Sequence, residues 1–201
     1  MIYVTSDTHY GHGNTCGSDG FLDTRTHFTN VDEMDKVMID NHNAIVGEHD
    51  TTIHLGDISF HYTKDELYDL FKKLNGHFIL VSGNHEVQRM LNHLMKNNYN
   101  LGDGKKKFLE IHDVGFRQKI AGKFYLFTHY PMHVGEYQGR FRNIHGHIHT
   151  AASAGGNMLN VGVDSPELGK RPFGAPIPLS LAVELVEEKW ERTMSELNNP
   201  S

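Results

Sequence analysis

Strand and helix patterns alternate through the first half of the chain, and short strand patterns dominate the second half, which together predict a mixed α/β protein. Two features carry that expectation. Short apolar runs end abruptly in Gly, Asp, Asn or His, and capped stretches with a helical repeat lie between the early ones. At 201 residues the chain suits one domain with a full core. Residues 1–186 are expected to form that domain, leaving 187–201 as a C-terminal tail with room for a short helix.

The elements follow in order. Ile2 to Thr5 reads as the first strand, ending at Ser6-Asp7-Thr8-His9. Residues 10–30 are rich in Gly, Thr, Asn and His and lack periodicity, so a long functional loop is expected there. Thr29-Asn30 with Glu33 supplies a helix cap, and Val31, Met34, Met38 and Ile45 give that helix one apolar side. Thr52 to Leu55 is a second strand, stopped by Gly56-Asp57. Thr63 and Glu66 make a capping box for a helix with an apolar stripe at Leu67, Leu70, Phe71 and Leu74, ended by Asn75-Gly76. Phe78 to Val81 is the third strand; it runs into Gly83-Asn84-His85-Glu86, after which Val87, Met90, Leu91, Leu94 and Met95 form another helical stripe.

Turn signals at Asp103-Gly104, Asp113-Val114-Gly115 and Ala121-Gly122 then separate Phe108–His112, Phe116–Ile120 and Phe124–Phe127, an expected antiparallel meander. Further β segments are expected at Ile144–Ile148, Met158–Val163 and Leu179–Val186.

Composition narrows the function classes. A net charge of −6, with Lys105-Lys106-Lys107 as the sole basic run, does not suit a protein built to bind duplex nucleic acid. One cysteine, Cys16, fits a reducing compartment, and neither a signal peptide nor a membrane-spanning run is evident, so a cytoplasmic address is expected. The 16 histidines are dispersed rather than massed, so their structural context decides their meaning.

That context is the strand ends. Asp7 and His9 follow the first strand, Asp57 the second, Asn84 and His85 the third, and His129 the Phe124 segment, while His145, His147 and His149 lie on the Ile144 segment. Loops beyond the carboxyl ends of strands converge in α/β sheets, and Asp, Asn and His are donors for divalent metals. In extended chain, residues two apart share a side, which pairs Asp7 with His9 and His147 with His149. Each fragment alone has an ordinary explanation. Asp7-x-His9, Gly56-Asp57 and Asn84-His85 suit turns, and His129 suits a satisfied buried imidazole. Gly146-His147-Ile148-His149 is the exception, because two imidazoles on one side of an apolar strand serve a core poorly. The ordered set is harder to explain away. His9, His12 and Cys16 also mimic a zinc spacing, but that site lacks a fourth ligand and competes for His9.

Six words, Ser6-Asp7-Thr8-His9-Tyr10-Gly11-His12, His54-Leu55-Gly56-Asp57, Gly83-Asn84-His85-Glu86, Thr128-His129-Tyr130-Pro131, His145-Gly146-His147-Ile148-His149 and Asn160-Val161-Gly162-Val163-Asp164, resemble the calcineurin-like metallophosphoesterase family, in its small single-domain bacterial or phage branch. The resemblance runs through nearly the whole domain and implies a four-layer α/β/β/α sandwich. It implies two divalent metal ions, manganese first and iron, zinc or nickel as alternatives. One would take Asp7, His9, Asp57 and His149, the other Asp57, Asn84, His129 and His147. His85 would protonate the leaving group of a small phosphate mono- or diester, a nucleotide included. Glu86 stands where the family more often has Asp.

His12, Asn14, Arg140 and Arg142 are substrate-contact candidates, the arginines for bidentate phosphate binding. A solvated loop face is the ordinary alternative for both arginines. The rival functions are a catalytically silent scaffold on the same fold, and a nuclease for short oligonucleotides.

Overall fold

The computed structural model describes residues 1–86, 88–97 and 109–198. Two sheets flanked by helices make an α/β sandwich, the class expected from the sequence. The first sheet has the order β4-β3-β2-β1-β9, from β1 (Ile2–Thr5), β2 (Thr51–His54), β3 (His77–Val81), β4 (Leu109–His112) and β9 (Ile177–Pro178). Strands β1 to β4 run parallel, in registers such as Thr5 with His54 and His54 with Leu80, and β9 lies antiparallel on β1. The second sheet has the order β5-β6-β7-β8, from β5 (Gly115–Ile120), β6 (Lys123–Thr128), β7 (Phe141–His145) and β8 (Met158–Asn160).

Three helices connect the parallel strands: α1 (Val31–Ile45), α2 (Lys64–Lys73) and α3 (Gln88–Asn97). Both expected caps form. Asn30 accepts from the Glu33 N–H, and Thr63 with Glu66 makes a reciprocal capping box. Met34, Met38, Leu67, Phe71, Leu91 and Leu94 pack with Phe78, Leu80 and Leu109 of the first sheet. Alternate residues of those strands face the other way, so Val4, Ile53 and Val81 meet Tyr125, Phe127 and Ile144 in a second core.

Several boundaries differ from expectation. The sequence places Phe108–His112 at the start of a meander, but β4 joins the first sheet beside β3, and of the three meander segments β5 and β6 alone pair antiparallel. Strands β6, β7 and β8 are parallel. Strand β7 stops at His145 and β8 at Asn160, both short of the expected ends. The Leu179–Val186 strand is instead the first part of a helix, α4 (Leu179–Asn198), which runs through the expected boundary at 186–187. Its buried residues Leu179, Ala182 and Val186 follow a helical repeat and complete the second core. Val87, the Asp103-Gly104 turn, the Lys105–Lys107 run and Phe108 lie outside the described residues. No helix among those described is long and apolar enough to cross a membrane.

Parallel strands align their carboxyl ends on one edge. Beyond that edge the chain stays zipped together: the Asp7 N–H donates to Gly56 O, the His9 N–H to Asp57 O, and the Gly146 N–H to His129 O. The two sheets meet there through a Ser6–Gly162 bridge and a bond from the Val163 N–H to Ser6 O.

Candidate metal centre

The backbone at this edge is unusual in a specific way. Asp7, His9, Asp57, His147 and His149 all have positive φ, between 45° and 72°. Left-handed conformations in residues other than Gly cost about 1–3 kcal/mol each and persist only where surroundings over-determine them. The pairing of Asp7 with His9 and of His147 with His149 therefore does not come from extended chain, as the sequence suggested. It comes from tight left-handed turns just past the strands.

Asp57 is buried and faces imidazoles from three elements: its Oδ2 lies 3.6 Å from His9 Nε2, 3.5 Å from His129 Nε2 and 3.9 Å from His85 Nε2. Its Oδ1 accepts the His85 backbone N–H at 2.9 Å. Asn84 Oδ1 lies 2.9 Å from His129 Nε2 and 3.0 Å from His147 Nδ1. The Asp7 carboxylate accepts the His147 N–H. Ligand atoms of Asp7, His9 and His149, and of Asp7, Asp57 and His129, lie within 4.8 Å of one another in each set, as do those of His9, Asp57 and His85.

The donor set fits a cation. His129 Nδ1 faces Leu55 O at 2.8 Å, and a carbonyl can only accept, so Nδ1 carries the hydrogen. Burial lowers the His129 pKa, keeping the ring neutral. Its Nε2 lone pair then points at the oxygens of Asn84 and Asp57, an assembly of acceptors with no proton to share. His9 repeats the theme, since neither ring nitrogen makes a hydrogen bond although the side chain is 2% exposed. Burial, reinforced by Arg25, takes its pKa down to about 2. Burial likewise raises Asp7 to about 7, the behaviour of a carboxylate short of positive charge. These buried Asp and His groups can bind metal ions.

Residues without a sequence-derived role hold the cluster in place. The Glu86 carboxylate accepts the N–H groups of Asp57, Ile58 and Gly83, which clamps the ends of β2 and β3 together. Gly56 makes that approach possible, because a Cβ there would lie 2.6 Å from His129 Nδ1 at φ +96°. Arg25 is fully buried, bonds the carbonyls of Asp7 and Thr8, and pairs with Asp164. Asp164 Oδ2 in turn lies 3.4 Å from His149 Nδ1. Burial opposes ionisation of Asp164, but the bonds from His149 and Arg25 hold its pKa well below the carboxylate range. Thus the 10–30 loop, where Arg25 sits in a 3-10 turn (Asp23–Arg25), fastens both sheets behind the cluster. Asp164 and Glu86 each close a word read from the sequence, but nothing local marked Arg25 as buried.

The other candidates spread out. His12 is buried beside the cluster, its ring 5.4 Å from His9 and 4.0 Å from Phe60. Asn14 and Arg140 are exposed, in the 3-10 turns Gly13–Thr15 and Gly135–Arg140. Arg142 corrects the expectation of a phosphate-binding loop residue: it is buried on β7, bonded to Glu187 and 4.7 Å from the Trp190 ring, both on α4.

No family model matches the sequence. An uncharacterised protein of Methanocaldococcus jannaschii, MJ1445, is 29% identical over 207 residues, covering 98% of this chain and 97% of that protein. A crystal structure of a protein of unknown function from Aquifex aeolicus, AQ665, matches with a TM-score of 0.64 at 25% identity, over 92% of this chain and 98% of that one. The E. coli phosphoesterase YfcE aligns at a TM-score of 0.43 and 12% identity, over 85% and 84% of the two chains.

Proposed function

We propose that this chain is a phosphoesterase that hydrolyses phosphate mono- or diesters with the help of two divalent metal ions, of which manganese is the first choice. The observation that carries the reading is the neutral His129 lone pair aimed at Asn84 Oδ1 and Asp57 Oδ2, an acceptor-only cluster that a cation satisfies. Asp7, His9, Asp57 and His149 would hold one ion, and Asp57, Asn84, His129 and His147 the other. Bound ions would polarise the phosphoryl oxygens and ready a water for attack.

The chain's own groups do the rest. Asp57 joins the two halves of the cluster and, through its bond from the His85 N–H, ties the position of His85 to the ligand set. Edge-on packing against Phe60 (4.7 Å, 88°) and His9 (5.3 Å, 69°) orients the His85 ring, whose side chain is 33% exposed and open to substrate. His85 gives its proton to the departing ester oxygen, a step worth about 10²–10⁴-fold in rate.

The test is an assay of aryl phosphate mono- and diesters with each of manganese, iron, zinc and nickel added to stripped protein. His85→Ala should retain its metal while turnover falls by about 10²–10⁴-fold. Absence of cleavage of either ester with any metal would defeat the reading in favour of a non-catalytic scaffold.

A further inference from the structure

A cavity of ≈ 440 Å³ opens beside His85, between the 58–62 segment and the first turns of α3, a size that suits a small-molecule site. Its floor is apolar: Ile58, Leu67 and Leu91 are buried. Phe60 and Met90 supply walls, and the Phe60 ring packs 4.0 Å from His12 as well as edge-on to His85. Glu86 also borders the cavity, but its carboxylate is committed to the N–H groups of Asp57, Ile58 and Gly83. At the rim stand two exposed groups able to donate hydrogen bonds, His61 and Arg89.

His61 points to this cavity independently. Among the described residues, those other than Gly with left-handed backbone are the five of the candidate centre, Ala121 in the β5–β6 turn, and His61 at φ +62°. The cluster accounts for the five and the hairpin for Ala121. His61 has neither reason, and an outlier of that kind is a pointer to function. Its ring packs 4.1 Å from Phe60, continuing the aromatic wall to the rim.

Resting on the phosphoester reading, we propose that this cavity is the leaving-group subsite and that it takes a flat heteroaromatic group, of the nucleobase kind, carried on the departing alcohol. His85 sets the location, since it lies 3.9 Å from Asp57 Oδ2 on one side and borders the cavity on the other. An ester oxygen within its reach places the remainder of the alcohol in the cavity. In the reaction the bond from phosphorus to that oxygen breaks and a water oxygen takes its place. The His85 proton goes to the departing oxygen, so the alcohol is released neutral. An apolar floor and a ring wall favour a flat uncharged group, and ring nitrogens or carbonyls of a base can accept bonds from His61 and Arg89. A bare sugar would leave the floor wet and the rim donors unmatched.

The test compares adenosine 5′-phosphate with ribose 5-phosphate, and the methyl diester of each, on metal-loaded protein. With release of adenosine or of ribose as the readout, the departing oxygen is the same within each pair, so the ratio of kcat/KM reports the base. The nucleoside ester should win by about tenfold or more. That ratio should fall towards one in Met90→Trp, which fills the cavity, and in His61→Gly, which removes the rim imidazole and relaxes the backbone. Equal kcat/KM in the wild type, or a ratio unmoved by both variants, overturns the subsite and leaves the phosphoesterase reading standing. If none of the four is cleaved by protein that cleaves the aryl esters, the subsite alone falls; if the aryl esters also resist, both readings fall. Saturation-transfer NMR on metal-free protein gives a readout that does not depend on turnover. Adenosine ring protons should receive saturation from the wild type and not from Met90→Trp, and absence of transfer from the wild type overturns the subsite.

Discussion

Asp57 and Asp164 do opposite work in the same cluster, and their variants should part accordingly. Asp57 faces His9, His85 and His129 with a carboxylate that the protein leaves without a balancing cation. Asp57→Asn keeps the shape and removes the charge. Metal retained after dialysis should fall by more than the about 10–100-fold that loss of an outer partner costs. Full metal content would show that Asp57 is not a ligand. Asp164 is already satisfied by Arg25, and both side chains are 0% exposed. Asp164→Ala strands a buried guanidinium, so urea denaturation should report a loss of about 3–5 kcal/mol. The double variant Asp164→Leu with Arg25→Met should be less damaging than the single. A single variant within about 1 kcal/mol of wild type would show that the pair is not needed. Of these residues the sequence marked Asp57 by its place after a strand. It could not mark Arg25, because burial of a loop arginine depends on a partner some 140 positions away in the chain.

At the scale of elements, caps and helical repeats were legible and strand partners were not. Asn30 and Thr63 start their helices where local chemistry demands, since each side chain satisfies an N–H of its own first turn. Strand β4 shows the limit. Its alternation fits any half-buried sheet, and whether it pairs with β3 or with β5 depends on which sheet edge it meets, a contact that no local pattern encodes. Helix α4 shows a related limit: a dense apolar run satisfies both periods, and the buried set Leu179, Ala182 and Val186 distinguishes them only once a core is present. Glu184→Pro tests the helix. Glu184 is exposed in mid-helix, where proline costs about 3 kcal/mol or more, whereas an edge strand would tolerate it. An unchanged melting temperature would restore the strand.

Across the whole molecule, burial of neutral imidazoles couples stability to pH. Burial lowers the pKa of His54 from 6.5 to about 3. The unfolded chain therefore binds the proton first, and stability that is full above pH 6.5 is lost as pH falls towards 3. Asp7 works in the opposite sense in metal-free protein: its raised pKa, about 7, favours the folded state on acidification. A comparison of variants separates the two. Between about pH 7 and about pH 5, metal-free wild type should lose about 2 kcal/mol more than His54→Gln, which keeps a partner for Thr8 Oγ1 and cannot titrate. Parallel curves would refute a neutral His54.

The sequence by itself determined the α/β class, helices α1 and α2 with their caps, and which residue types stand after which strands, because those depend on chemistry within a few residues. Only the tertiary structure decided how they meet. The left-handed turns at Asp7, His9, Asp57, His147 and His149, the Glu86 clamp, the buried Arg25–Asp164 pair and the cavity rimmed by His61 all depend on close approach of segments far apart in the chain. Steric room and hydrogen-bond satisfaction at such contacts have no signature along the chain, so they become visible only when the two sheets are packed face to face.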